Sequence, residues 1–354
     1  MDVNELLSHF DLQGDIINIE PHGNGHINKT FLVETDQCRY IFQFINSSVF
    51  PDVAMLMNNI AHVTEHLRAK GIPTLEIIKA KDGRLYLDCG DAFFRGYRFI
   101  ENSICYEKLP SLDMVAKAAG GFGAFHHGLA DIDVSQIGDV IPHFHDTDLR
   151  FLDFKKAVEE NRSGRASSCQ EEIDFLLSRE SDYALLTGPL HRGEIRKAVT
   201  HNDPKINNVA FDKTTGEVAC ILDLDTVMTG TFLYDVGDGL RSLFTGDNED
   251  NVDTSLLKVD FDVYKTYIEG YYAMAKETMN QKEIDLLPYS VLVIAEELAM
   301  RFLGDYINGD IYFGVAYPTH NLVRARTQIA LAKDLLLHMD ELTQITREIV
   351  AKSR

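Results

Sequence analysis

The residues whose type and spacing could do chemistry are Asp203, Asn208 and Asp223. They lie in the segments Thr200-His-Asn-Asp-Pro-Lys-Ile-Asn-Asn-Val-Ala-Phe-Asp212 and Ile221-Leu-Asp-Leu-Asp225. The pattern is H-x-D-x-x-x-x-N, then two short β-prone runs joined by a turn, then an Asp. A carboxylate on a loop can take the proton of an attacking hydroxyl. One amide oxygen and one carboxylate oxygen suit Mg²⁺, a hard cation that keeps several waters and binds phosphate oxygens. The chemistry indicated is phosphoryl transfer from ATP, with Asp203 as base and Asn208 and Asp223 as magnesium ligands. His, Asp and Asn are also common turn residues, so the first half of the pattern is weak by itself. The hairpin and its closing Asp give it specificity.

The elements that must position these groups follow from the flanking residues. Ala198–Thr200 reads as a short strand. The runs 208–212 and 217–222 read as two strands, with turn chemistry ending in Gly at Lys213-Thr-Thr-Gly216. A hairpin returns its far end to its start, which predicts Asp223 beside Asn208 despite 15 intervening steps of chain. Asp225 is left open between a further metal ligand and a solvent-facing side chain. Asp235 is expected to brace the catalytic loop through backbone hydrogen bonds. Between Asp223 and Asp235 there are 11 residues, little room for a loop that docks a polypeptide, so a small acceptor is favoured.

Upstream, residues 16–102 read as strands with one helix. Ile16–Glu20, Thr30–Glu34 and Arg39–Ile45 are β-prone. Val53, Leu56, Ile60, Val63 and Leu67 step by three and four, predicting a helix over Val53–Ala69, with Pro51 before it and Gly71 after it. Leu75–Lys79 and Arg84–Asp88 flank Lys81-Asp-Gly83 as a predicted hairpin, and Phe93–Ile100 supplies a last strand. After residue 102 the pattern turns helical: one helix capped by Ser111, others over 151–160 and 170–182, and a helical remainder from Tyr234. The prediction is an α+β, two-lobed, protein-kinase-like fold. Its N-lobe, residues 1–102, is an antiparallel β-sheet with one helix. Its C-lobe, residues 103–354, is mainly helical and carries the catalytic β-hairpin.

Three nucleotide contacts are expected in the N-lobe. Gly23, Asn24, Gly25 and Asn28 belong to His22-Gly-Asn-Gly-His-Ile-Asn28, where two glycines let the backbone approach phosphates. Gln43 stands on the third strand where protein kinases place a lysine. It is read either as a phosphate contact or as an ordinary strand residue, with Arg39 or another cation doing the lysine's work. Phe99 and Glu101 fall at the hinge, where backbone groups would read the adenine edge.

Composition narrows the class. The 354 residues carry a net charge of −21, which argues against nucleic acid as a partner because phosphate contacts need clustered Lys and Arg. No apolar run approaches the roughly 18 residues that span a membrane. The start, Met1-Asp-Val-Asn-Glu5, lacks the blocks of a signal peptide. Five scattered cysteines suggest neither disulfides nor a zinc site. A cytoplasmic protein is expected, as a monomer or weak homodimer.

The chain resembles the aminoglycoside phosphotransferase and choline kinase superfamily, and within it the N-acetylhexosamine 1-kinases. The resemblance rests on Gly23-Asn-Gly-His-Ile-Asn28, Arg39-Tyr-Ile-Phe-Gln43, the 200–212 segment, Asp223-Leu-Asp-Thr-Val-Met228, Met300-Arg-Phe-Leu303, Tyr312-Phe313 and His320-Asn-Leu-Val-Arg-Ala-Arg326. It implies transfer of the ATP γ-phosphate to the anomeric 1-hydroxyl of N-acetylglucosamine or N-acetylgalactosamine. His26 and Arg301 would contact the sugar, with Asp305, Tyr306 and Tyr312 as further candidates. From the residues alone, Arg301 and Asp305 equally fit an ion pair one helical turn apart, and the tyrosines equally fit core packing. Alternative readings are a kinase of a cationic acceptor, choline or an aminoglycoside, and a nucleotide-binding pseudokinase.

Overall fold

The computed structural model describes residues 2–23, 28–90, 92–246 and 250–353. In chain order the strands and helices are α1 (Val3–Leu7), β1 (Ile16–Pro21), β2 (Lys29–Thr35), β3 (Arg39–Ile45), α2 (Val53–Ala69), β4 (Ile77–Ile78), β5 (Leu87–Asp88), β6 (Phe93–Arg98), β7 (Ser103–Ile104), α3 (Leu112–Gly128), α4 (Thr147–Glu160), α5 (Gln170–Ser178) and α6 (Glu180–His191). They continue with β8 (Ala198–Thr200), β9 (Val209–Asp212), β10 (Val218–Ile221), β11 (Met228–Gly230), α7 (Phe232–Thr245), α8 (Phe261–Ala275), α9 (Gln281–Asn308) and α10 (His320–Lys352). The chain forms two compact units. One comprises Met1–Cys105, Asp131–Pro142 and Val209–Thr229; the other comprises Tyr106–Ala130, His143–Asn208 and Gly230–Arg354.

In the first unit an antiparallel sheet runs β1-β2-β3-β6-β4, and β5 also pairs with β6. Side chains alternate across β3, with Tyr40, Phe42 and Ile45 buried. One face is aromatic. Phe42 stacks on Phe94 at 5.2 Å, and Phe10, just beyond α1, meets Phe42 edge-on at 4.9 Å. Phe42 lies over Gly96, its cross-strand partner, in space that a Cβ would fill. The other face carries Gln43 and Arg95, and Arg95 reaches the Met57 sulfur of α2 at 3.8 Å. Helix α2 has the predicted bounds. Asp52 caps it by accepting from the Met55 N–H at 2.8 Å, and Gly71 beyond its end is left-handed. The strands β9 and β10 form the predicted hairpin, and β7 adds to β9 as a third strand.

Several elements differ from expectation, among them the helix expected over 170–182, which is split at Arg179 into α5 and α6. Helix α1 was not anticipated; it is short, capped by Asp2, and buries only Leu6 and Leu7. The runs around Lys81-Asp-Gly83 do not pair with each other. Instead β4 pairs with Tyr97 and Gly96 while β5 pairs with Phe94 and Phe93, both along β6. The turn is real, with the Gly83 N–H on the Ala80 carbonyl at 2.8 Å, but β6 offers the longer ladder. Helix α4 begins four residues early because Asp146 caps it, accepting from the Leu149 N–H at 3.3 Å.

The second unit is helical around α9. Apolar residues on nearly every side of α9 are buried, as a central helix requires. Asn280 and Glu283 close its start as a reciprocal capping box. No helix among the described residues is long and apolar enough to cross a membrane. Helices α3 and α8 cross at glycines. A Cβ on Gly123 would sit 2.6 Å from the Tyr271 carbonyl oxygen, and one on Gly270 would collide with that of Ala116. Gly270→Ala is therefore expected to cost about 1–3 kcal/mol through overpacking. Gly120→Ala, whose Cβ would lie 3.5 Å from the Gly270 oxygen, should be neutral or stabilising. Urea unfolding midpoints of the two variants check this, and equal midpoints would show that the crossing can spread without penalty.

Candidate functional site

Within the second unit, β8 delivers the chain to His201, Asn202 and Asp203. His201 is fully buried, its ring edge-on to Phe122 at 5.6 Å and near Phe125 at 6.1 Å. Asn202 sits in the left-handed region with φ 65°, a conformation Asn tolerates better than most residues. This bend presents two successive amides to one carboxylate. The N–H groups of His201 and Asn202 donate to Asp235 Oδ2 and Oδ1, each at 2.7 Å. Asp235 lies in the first turn of α7, where the helix dipole favours an anion. His126 Nε2 meets Asp235 Oδ2 at 2.7 Å, and His126 Nδ1 meets the Tyr271 hydroxyl at 2.8 Å. Burial alone would raise the Asp235 pKa, but the His126 hydrogen bond and its charge outweigh burial and hold it below the ordinary value. Asp235 thus braces this loop through backbone hydrogen bonds, as its position suggested.

The braced loop leaves Asp203 reachable, with 29% of its side chain exposed. Its backbone N–H donates to His201 Nδ1 at 3.3 Å. Lys205 Nζ stands 3.1 Å from Asp203 Oδ1, and Asn208 Nδ2 donates to the Asp203 carbonyl oxygen at 2.8 Å and approaches Oδ2 at 3.4 Å. Those bonds fix the orientation of the Asn208 amide: its nitrogen faces Asp203, so its oxygen faces away, as a cation ligand must. An amide oxygen so turned is a donor of the kind Mg²⁺ accepts. Among the described residues no group of three or more His, Cys, Asp or Glu is placed to hold a metal ion. An amide oxygen, one carboxylate, water and phosphate oxygens are what Mg²⁺ accepts.

In the first unit, the register of the hairpin sets Val209, the residue after Asn208, opposite Ile221, two residues before Asp223. Asp223 is exposed and left-handed, with φ 54°. Asp225 does not face solvent. Both its oxygens take the Arg95 guanidinium, Nη1 to Oδ1 at 2.7 Å and Nη2 to Oδ2 at 2.8 Å, and Asn28 Nδ2 donates to Oδ2 at 2.7 Å. Only 2% of Arg95 and 5% of Asp225 is exposed. Burial disfavours the Arg95 charge, and the neighbouring Asp225 carboxylate more than offsets this. Gln43 Oε1 accepts from Arg95 Nε at 3.1 Å and Nη2 at 2.8 Å, and Gln43 Nε2 donates to Thr30 Oγ1 at 3.0 Å. The cation beside Gln43 is thus Arg95, its cross-strand partner, and not Arg39. Arg39 pairs with exposed Glu101, Nε to Oε2 at 3.2 Å, and lies 4.2 Å over the Phe99 ring. The Phe99 N–H is taken by the Arg39 carbonyl at 3.0 Å, which leaves ring faces and carbonyls, not that amide, for a ligand.

In the second unit, Arg301 on α9 does not pair with Asp305. Its ion-pair partner is Glu297, 3.8 Å away on the preceding turn, and its guanidinium lies 5.2–5.8 Å from the rings of Phe144, Phe313 and Tyr312. Glu297 also holds His145 Nδ1 at 3.0 Å, and this carboxylate outweighs burial to raise the His145 pKa. Asp305 is buried and accepts the N–H groups of Ile311, Tyr312 and Phe313 at 2.9–3.0 Å together with Asn321 Nδ2 at 3.0 Å. Tyr306 belongs to the core, its hydroxyl 3.2 Å from Ser168 Oγ, whereas Tyr312 is 63% exposed. Of the predicted residues, Gly23, with φ 73°, and Asn28 are described. Asn24, Gly25 and His26 lie outside the described residues. Sequence reasoning missed Arg95, Glu297 and His145. The alternation of β6 placed Arg95 on the face of Gln43, and that was the available signal.

A model of the phosphotransferase enzyme family matches residues 18–271. Among solved structures the chain is similar to an aminoglycoside phosphotransferase from Alicyclobacillus acidocaldarius, 15% identical with a TM-score of 0.65 over 98% of this chain and 97% of that one. It is similar to a microcompartment-associated aminopropanol kinase, 14% identical with a TM-score of 0.62 over 97% and 99% of the two chains. It is also similar to a spectinomycin phosphotransferase solved with ADP and spectinomycin, 12% identical with a TM-score of 0.57 over 98% and 97%. At these identities the likeness shows the fold, which is the protein-kinase-like one expected from the sequence.

Because Asp235 is held below the ordinary carboxylate value, its stabilisation is full above the unfolded pKa of ~3.9. It is lost as pH falls through the lower folded value. Asp235→Asn should lower the unfolding midpoint at neutral pH and flatten the acid limb. Thermal unfolding of both proteins between roughly pH 2 and 7 decides. Superimposable acid limbs would remove this carboxylate from the acid sensitivity of the fold.

Proposed function

The chain belongs to the phosphotransferase enzyme family, and from that premise we propose that it transfers the γ-phosphate of ATP to the anomeric 1-hydroxyl of an N-acetylhexosamine, N-acetylglucosamine or N-acetylgalactosamine. The observation that carries the reading is Asp203: a reachable carboxylate on a loop whose path is fixed by a buried one. In this reading Asp203 orients the sugar hydroxyl and takes its proton as the O1–Pγ bond forms and the bond from Pγ to the β,γ-bridging oxygen breaks, releasing ADP. No covalent phospho-enzyme is needed. Lys205, 3.1 Å from Asp203 Oδ1, helps to aim the carboxylate. Asn208 and Asp223 are the magnesium ligands. Magnesium, when bound, supplies neutralising charge at the phosphates. Gly23, Asn24, Gly25 and Asn28 approach the phosphates, and Phe99 and Glu101 flank the base. Nucleotide use is supported by the family and by the ADP bound to the spectinomycin phosphotransferase of like fold.

For the acceptor, His26, Arg301 and Tyr312 are the proposed contacts. Asp305 and Tyr306 act from behind, Asp305 by holding the amides at 311–313 and Tyr306 by packing beneath. Arg301 favours a neutral polyol, since guanidinium N–H groups donate to hydroxyls and repel an ammonium. The resemblance of Met300-Arg-Phe-Leu303 and Tyr312-Phe313 to N-acetylhexosamine 1-kinases points the same way. A cationic acceptor is the second reading. It draws on the net charge of −21 and on the aminopropanol and aminoglycoside substrates named for the proteins of like fold.

Asp203→Asn is expected to keep the thermal shift given by Mg·ATP while turnover falls by roughly 10²–10⁴-fold. ADP release with N-acetylglucosamine, N-acetylgalactosamine, glucose, choline and kanamycin, read with phosphorus NMR of the product, tests both points. An anomeric sugar phosphate is the expected product. Turnover with choline or kanamycin alone would replace the acceptor, and an active Asp203→Asn would remove the base.

A further inference from the structure

The Arg95–Asp225 pair is buried and bidentate, and its guanidinium is saturated. Nε and one Nη2 hydrogen of Arg95 go to Gln43 Oε1, the other Nη2 hydrogen to Asp225 Oδ2, and Nη1 to Asp225 Oδ1 and the Met57 sulfur. Those contacts use all five N–H donors, so the guanidinium has none left for a phosphate. Both Asp225 oxygens are occupied as well, and Oδ2 takes Asn28 besides. Asn28 in turn accepts the Asn46 N–H on its own Oδ1 at 3.0 Å. Desolvating such a pair costs stability that apolar residues of the same volume would not, so its presence calls for a use other than stability. The use is visible in what the pair connects: strand β6, Gln43 on β3, the end of the glycine loop at Asn28, and the short turn that carries Asp223 two residues before Asp225.

We propose that Asp225 is not a metal ligand but the anchor that fixes the Asp223 turn and the Asn28 end of the glycine loop to the sheet through Arg95, and that Gln43 acts through Arg95 and not on phosphate. This rests on the reading of Asp223 as a magnesium ligand. Arg95 and Gln43 are positioning residues in this scheme. Gln43 holds the guanidinium flat against Asp225, and the fork holds the turn, so that one carboxylate of the Asp-x-Asp pair is spent on geometry and the other is offered to magnesium. Outer partners of metal ligands typically change metal affinity by about 10–100-fold when removed.

The test measures Mg·ADP binding by calorimetry on the full chain, with and without magnesium, for wild type, Gln43→Ala, Arg95→Lys and the double variant. No acceptor is needed. Each single variant is expected to raise the magnesium concentration for half-maximal ADP binding about tenfold or more, with metal-free ADP binding affected alike in the two through the shared Asn28 anchor. The double variant should be no worse than Arg95→Lys alone, because Gln43 works through that residue. A drop in metal-free ADP binding in Gln43→Ala that Arg95→Lys does not share would make Gln43 a phosphate contact and overturn the scheme. An unchanged magnesium response in Gln43→Ala would overturn it too, and settles the question even where Arg95→Lys does not fold. Wild type that binds ADP normally while the variants show wild-type magnesium dependence leaves the kinase reading standing without this inference. Wild type that binds no Mg·ADP overturns both.

Discussion

Asp235 imposes the constraint on which the loop carrying Asp203 depends. A carboxylate removed from water is tolerated only when its oxygens are donated to, and the charge is worth most when the donors are fixed. Here the donors are two consecutive backbone amides and one histidine, and the carboxylate stands in the first turn of a helix. The price of burying the charge falls if His201 and Asn202 take one particular path, and that path includes a left-handed residue. The bend at Asn202 is therefore set by electrostatics more than by local propensity. Everything downstream on the loop, including the exposure of Asp203 and the inward-turned amide of Asn208, inherits its geometry from that bend.

The first unit solves a similar problem with a different donor. Asp225 is satisfied by a guanidinium and a side-chain amide, not by backbone. A guanidinium reaches across a sheet, and it can tie together segments that no backbone ladder joins. The sheet makes room for it by dividing its faces. Phenylalanines fill one side, with Gly96 clearing space for Phe42, and the polar fork occupies the other. The absence of a lysine on β3 is thus coupled to the presence of an arginine on β6. Gln43 is the acceptor such an arginine requires, and it stands directly opposite in the register.

Local order was plainly readable in the chain where one physical signal acts alone. Helix α2 follows from a three-four apolar spacing bounded by Asp52 and Gly71, and the Ser111 cap and the Lys213–Gly216 turn follow from side chains that satisfy their own neighbours. Order that depends on remote partners was not readable. Arg95 meets Asp225 from 130 positions away, and nothing in Phe93-Phe-Arg-Gly-Tyr-Arg98 names that partner. The β4 and β5 segments carry good hairpin chemistry, yet β6 captures both of them because pairing with a longer strand satisfies the same backbone groups. Arg301 and Asp305 have ideal spacing for an ion pair, but Asp305 faces a cluster of amides that a lone cation cannot match, and Arg301 turns to Glu297. Tyr306 and Tyr312 look alike in the sequence, and only packing separates a core ring from a surface one.

Asp305 grips the segment at 311–313 by its main chain. Such a grip is blind to side-chain identity, because every residue except proline presents the same amide. At the exposed positions Ile311 and Tyr312 the path of the segment and its chemistry are therefore decoupled, whereas Phe313 also packs on Phe302. A scaffold with this property can vary those two side chains through single substitutions, because the residue that holds their main chain is a carboxylate that binds amides.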